Sequence, residues 1–152
     1  MAYNTIKIRR FNDIQDEYVA NAAITPGMAV ELISTNKVQK AATASGKLAW
    51  LFALEDELQG KGINDDYAAG DRVQVGVFTR GEIVNALLQD EEAIVIGDYL
   101  ELGIVQGKLR KYTSGVVVGI AREAKDLSTF PEGSESSAKG AYYNPRIAVQ
   151  LI

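Results

Sequence analysis

Ile96-Gly97-Asp98-Tyr99-Leu100-Glu101-Leu102 carries the pattern that decides the fold, and the chain writes it three times. Pro26-Gly27-Met28-Ala29-Val30-Glu31-Leu32 and Ala69-Gly70-Asp71-Arg72-Val73-Gln74-Val75 are the other copies. In each, a glycine turn opens a run that alternates apolar and polar residues. A period of two puts the apolar side chains on one face of a strand, and glycine supplies the turn before it. Working outward, similar short runs are read at 5–11, 28–34, 37–42, 72–78, 82–88, 93–96, 99–102, 108–113, 116–122 and 146–152. Arg80-Gly81 reads as a hairpin turn joining 72–78 to 82–88. Strands this short, with turns every ten residues or so, predict an all-β fold: a compact barrel or sandwich of short antiparallel strands.

Residues 48–54, Leu-Ala-Trp-Leu-Phe-Ala-Leu, form the most apolar run and hold the only tryptophan. Bounded by Ser45-Gly46 and Glu55-Asp56, the run reads as a strand covered on both sides. It belongs either to the heart of the core or to a contact with a neighbouring subunit. Residues 12–23 are open between a short helix capped by Asp13, with Ile14, Tyr18 and Val19, and an extended arm. Two long polar loops are expected, at 55–70 and 126–145, the second mobile unless a partner holds it. The expected organisation is an N-terminal arm or strand over 1–23 and a β-barrel-like domain over 24–152.

The 152 residues suffice for one domain with its own core, and 47% apolar with 24% charged residues is an ordinary globular composition. A net charge of −4 argues against a nucleic-acid partner, whose phosphates need a basic surface. No apolar run approaches the roughly 18 residues of a membrane span, and residues 1–10 lack a signal-peptide core. The expectation is a soluble chain made in the cytoplasm, with no membrane partner. Charge is uneven: 55–66 and 90–98 are acidic, and 108–125 is locally basic. Such asymmetry fits solvated turns and strand faces, or copies of the chain that meet acidic edge to basic edge.

The chain has no histidine and no cysteine, which removes the commonest nucleophiles, bases and metal ligands. Asp71 and Asp98 read as turn-capping carboxylates, because neither has a base or polarising partner in sequence. The acidic stretch with Glu55, Asp56, Glu57, Asn64, Asp65 and Asp66 has oxygens for calcium but lacks the spacing of a dedicated loop. Gly60-x-Gly62 fits no phosphate-binding template. No catalytic residue, metal site or cofactor is predicted, and the chain reads as a binding protein and not an enzyme. Of the seven tyrosines, Tyr142 and Tyr143 sit at the end of the second loop, where amphipathic rings suit either an interface or the half-buried surface of a barrel.

Gly70-Asp71-Arg72-Val73, Gly97-Asp98 and the late run Val116-Val117-Val118-Gly119-Ile120-Ala121-Arg122-Glu123-Ala124 resemble the decoration (cement) proteins of tailed-bacteriophage heads. The resemblance covers about 24–125. It implies a homotrimer on the outer capsid surface that binds the major capsid protein and bridges capsomers, with an N-terminal arm in contact with the shell. On that reading Arg9, Arg10 and Phe11 are the candidate capsid contacts, since arginine and aromatics dominate interface energetics. Trp50, Phe52, Tyr142 and Tyr143 are the candidate subunit-interface residues. Other virion modules (tail, baseplate or head–tail component) and a carbohydrate-binding accessory domain using Trp50 are the alternatives.

Overall fold

The computed structural model describes residues 3–42, 49–128 and 144–152. Five strands close into a barrel: β2 (Gln15–Ala20), β3 (Ala29–Leu32), β4 (Lys37–Lys40), β5 (Leu51–Ala53) and β6 (Arg72–Val77). Their order is β2-β4-β3-β5-β6, and β6 returns to β2. All pairs are antiparallel except β2 with β4, which run parallel at Val19–Lys37 and Ala20–Val38.

The second body is a six-stranded sheet of β1 (Lys7–Arg9), β7 (Ile83–Leu87), β9 (Tyr99–Leu102), β10 (Leu109–Lys111), β11 (Val117–Ala121) and β13 (Arg146–Leu151). Its order is β1-β7-β13-β11-β9-β10. The sheet curls back on itself: Leu88, one residue past β7, bridges Leu109, and the Gln89 N–H donates to the Leu109 carbonyl at 2.8 Å. A two-stranded ladder of β8 (Ala93–Ile94) and β12 (Lys125–Asp126) is the remaining strand pair among the described residues.

The three repeated phrases are one device built three times. Each begins with a β-turn whose third residue is glycine at positive φ: Gly27 at 96°, Gly70 at 90° and Gly97 at 92°. The fourth residue's N–H closes the turn on the first residue's carbonyl, at 3.0–3.1 Å. The Asp71 and Asp98 carboxylates then accept the N–H of Ala68 and Val95, at 2.8 and 3.0 Å. In the first copy Met28 stands where the aspartates stand, and its sulfur accepts the Thr25 N–H at 3.4 Å.

Alternation separates two cores. Val30, Val38, Leu51, Ala53, Val73 and Val75 fill the barrel. Ala29, Phe52, Leu54 and Phe78 join a second core with Val84, Leu100, Val118, Ile147 and Leu151 of the curled sheet. Phe52 and Phe78 meet edge to face there, 5.6 Å between centroids. β5 is thus covered on both faces, as its apolar run predicts, but it is shorter than 48–54. Trp50 sits at φ 53°, off the extended conformation, and Leu48 lies outside the described residues.

Three further readings change. The strands at 72–78 and 82–88 are not a hairpin: β6 closes the barrel while β7 lies between β1 and β13 in the sheet. Every β7 residue is buried, so it needs neighbours on both edges and cover on both faces. Residues 15–20, left open between helix and arm, form a barrel strand paired with β6 from Gln15–Gly76 to Val19–Arg72. The loop at 55–70 carries a 3₁₀ turn (Glu57–Gln59) and is pinned at Tyr67, whose backbone pairs with Ile24. The Tyr67 hydroxyl donates to the Leu54 carbonyl at 2.6 Å, and burial pushes its pKa up to about 12.

Candidate functional site

Residues 9–11 leave β1 beside the turn at 79–82 that carries the chain from barrel to sheet. Arg10 points inward there. Its Nε donates to Glu82 at 2.8 Å and to the Asn12 carbonyl at 3.0 Å, and its Nη2 donates to the Ile14 and Val77 carbonyls at 3.1 and 2.9 Å. The guanidinium lies 4.2 Å from the centroid of the Phe78 ring.

Glu82 has no exposed surface, and it also accepts both the N–H and hydroxyl of Thr79 and the N–H of Phe11. Burial alone would raise its pKa. The donors from Thr79, Phe11 and Arg10 outweigh that and hold it below the usual carboxylate value. Arg10 and Glu82 together lock the N-terminal segment onto the crossing turn, so the Arg10 side chain is committed within its own chain.

Its neighbours are different. Phe11 is 64% exposed, and its ring lies over Gly81, where an added Cβ would stand 3.1 Å from it. Arg9 and Arg80 are exposed and have no ion-pair partner among the described residues. Of the expected contact trio, Arg9 and Phe11 thus stand at the surface beside the exposed Arg80, and the Arg10 side chain does not. The sequence hint for Arg80 was its place in a glycine turn, which keeps a long side chain in solvent.

The other expected contact residues divide as well. Phe52 is completely buried in its own chain's core, so it has no surface to offer a second subunit. Trp50 is half-buried against that core, and its indole N–H finds no acceptor among the described residues. Tyr142 and Tyr143 lie outside the described residues. Sequence reasoning missed an exposed apolar surface around Val95, Ile96, Tyr99 and Tyr112, which are 60, 69, 50 and 41% exposed. Tyr112 donates its N–H to the Tyr99 carbonyl, so the two rings belong to adjacent strands. Tyr99 shares its strand face with Glu101, so the sequence shows no apolar stripe there.

Several carboxylates serve the backbone. Glu55, buried, accepts the Thr5 hydroxyl at 2.6 Å and the Ile6 N–H at 3.2 Å. Asp65 accepts the Gly62 N–H at 2.6 Å. Glu101, fully buried, holds Arg110 at 2.9 Å, the Thr113 hydroxyl at 2.8 Å and the N–H groups of Ser114 and Gly115. Burial alone would raise its pKa too, but these donors pull it below the usual value. Arg146 is buried at the start of β13, bonded to the Pro26 and Ile63 carbonyls and to Asn64. Burial pushes its pKa down to about 10, which leaves it charged at neutral pH. No group of three or more metal-ligating side chains occurs among the described residues.

No protein-family model and no curated protein matches this chain. Among solved structures, the chain is similar to the N base of head fiber gp8.5 of bacteriophage phi29, with a TM-score of 0.56. The match covers 91% of this chain and 93% of that one at 13% identity. At that identity the likeness is one of fold, and it spans nearly the whole length of both chains.

Proposed function

We propose that this chain is a non-enzymatic structural protein of a tailed-phage head, which binds the outside of the shell as a trimer and bridges neighbouring capsomers. The observation that carries this reading is the end-to-end fold likeness to a phage head-fibre base. The Gly-Asp turns and the late Val118-Gly119-Ile120-Ala121 strand support the same reading from the sequence side. A trimer gains avidity from three simultaneous weak contacts, so a modest surface per subunit suffices. The neighbour's place as the base of a head fibre supports a second reading, in which the chain seats a projecting structure on the shell.

The test is co-sedimentation of the purified chain with heads of its own phage prepared without it. Saturable binding, together with a solution mass three times that of the 16.5 kDa chain, is the expected result. Absence of binding at any concentration removes the proposal. Electron microscopy of intact virions separates the two readings: density that ends at this module favours decoration, and density that continues outward favours a fibre base.

A further inference from the structure

We propose that copies of this chain meet through two different surfaces, the Arg9–Phe11–Arg80 patch of one and the Glu57–Leu58 turn of the next. This deepens the trimer reading by naming the contact, and it rests on that reading for the number of copies.

Each surface has an apolar centre and a charged rim, and the rims are opposite in sign. On the first, Phe11 is 64% exposed and flanked by Arg9 and Arg80, neither ion-paired among the described residues. The Phe11 N–H bond to Glu82 and the seat of its ring over Gly81 hold the aromatic in place before any partner arrives. An aromatic fixed in advance loses little freedom on binding. On the second, Leu58 is 91% exposed in the 3₁₀ turn, next to Glu57, which has no ion pair among the described residues. Within the stretch 55–66, Glu57, Asp65 and Asp66 are exposed against the single base Lys61, whereas Glu55 and Asp56 are buried and take no part in the rim.

On a chain of net charge −4, Arg9 and Arg80 carry the minority charge, and the partner that fits them is acidic with an apolar knob. The Glu57–Leu58 turn is such a partner. A contact between two different patches is heterologous, and it closes into a ring when the rotation allows. A three-membered ring uses each patch once per subunit.

The test is light scattering and sedimentation of the intact chain across a concentration series at low salt, for wild type, Arg80→Glu, Glu57→Arg, the double reversal and Leu58→Ser. Each single charge reversal is expected to weaken association about tenfold or more, since it sets like charges against each other. The double reversal restores the opposite-sign pair and is expected to recover most of the loss. Leu58→Ser weakens association without touching charge, and its exposed position leaves the fold alone. Single variants that assemble like wild type overturn this contact and leave the trimer reading standing. A double reversal no better than either single also overturns it. A wild-type chain that stays monomeric at all concentrations overturns this contact and the preformed trimer together, while head binding is scored separately.

Discussion

Arg10→Ala, set against Arg9→Ala, separates a side chain that holds the fold from an exposed neighbour. Arg10 donates four hydrogen bonds, one of them to the fully buried Glu82, and covers the Phe78 ring. Truncation leaves Glu82 ionised and buried with only its Thr79 and Phe11 donors. Removing one partner of a buried pair costs about 3–5 kcal/mol, and a cation over an aromatic face adds about 1 kcal/mol. Because Arg10 is 9% exposed, water enters and replaces part of what is lost. The expected cost is therefore about 3 kcal/mol. For a domain of this size that is roughly a 6–12 °C fall in Tm. Arg9→Ala, which breaks no ion pair among the described residues, is expected to stay within about 0.5 kcal/mol of wild type. Urea unfolding followed by Trp50 fluorescence and by calorimetry reads both. Equal effects from the two alanine variants, or an Arg10→Ala cost under about 1 kcal/mol, would refute the assignment of Arg10 as a lock.

Gly119→Ala is expected to destabilise by about 3 kcal/mol, because a Cβ there would stand 2.4 Å from the Gln150 carbonyl and force β11 from β13; amide exchange along β13 would localise the opening. Tyr67→Phe leaves the Leu54 carbonyl without its buried donor and should cost about 1 kcal/mol in urea unfolding. Glu82 and Glu101 have folded pKa values below their reference of 4.5, so their stabilisation is fully present above about pH 4.5 and is lost as pH falls through the lower folded values. A Tm that is flat from pH 7 to 5 and drops below 4.5 is expected. A Glu101→Gln variant should start lower and fall less steeply, and an identical pH profile would contradict this.

What was legible in the sequence was local. The glycine turns, the strands they open and the capping role of Asp71 and Asp98 follow from residue type and period alone. The cover on both faces of β5 followed from an unbroken apolar run, since Leu51, Phe52 and Ala53 leave no polar face for water. Connectivity was not legible at Arg80-Gly81. A glycine turn between two alternating strands is written the same way whether the strands pair or pass to different sheets. β2 was ambiguous because Gln15-Asp16-Glu17-Tyr18-Val19-Ala20 opens with three polar residues, which its exposed first half tolerates.

Of the candidate site, exposure was the missing quantity. Arg9 and Arg10 are neighbours of one chemical type, yet only Glu82, seventy-two residues on, decides which of them is withdrawn. Nothing local in sequence marks Glu82, Glu101 and Arg146 as buried charges, because their donors and acceptors lie far along the chain. Phe52 read as an interface aromatic for the converse reason: a single chain supplies enough core to bury it.

The place proposed for this chain is the outside of a phage head. The most direct measurement is an electron-cryomicroscopy reconstruction of heads of the chain's own phage, with and without the purified protein added back. Difference density on the outer surface, three copies around each occupied point and spanning adjacent capsomers, is the expected result. Density inside the shell, at the tail vertex alone, or none at saturating protein would contradict the account.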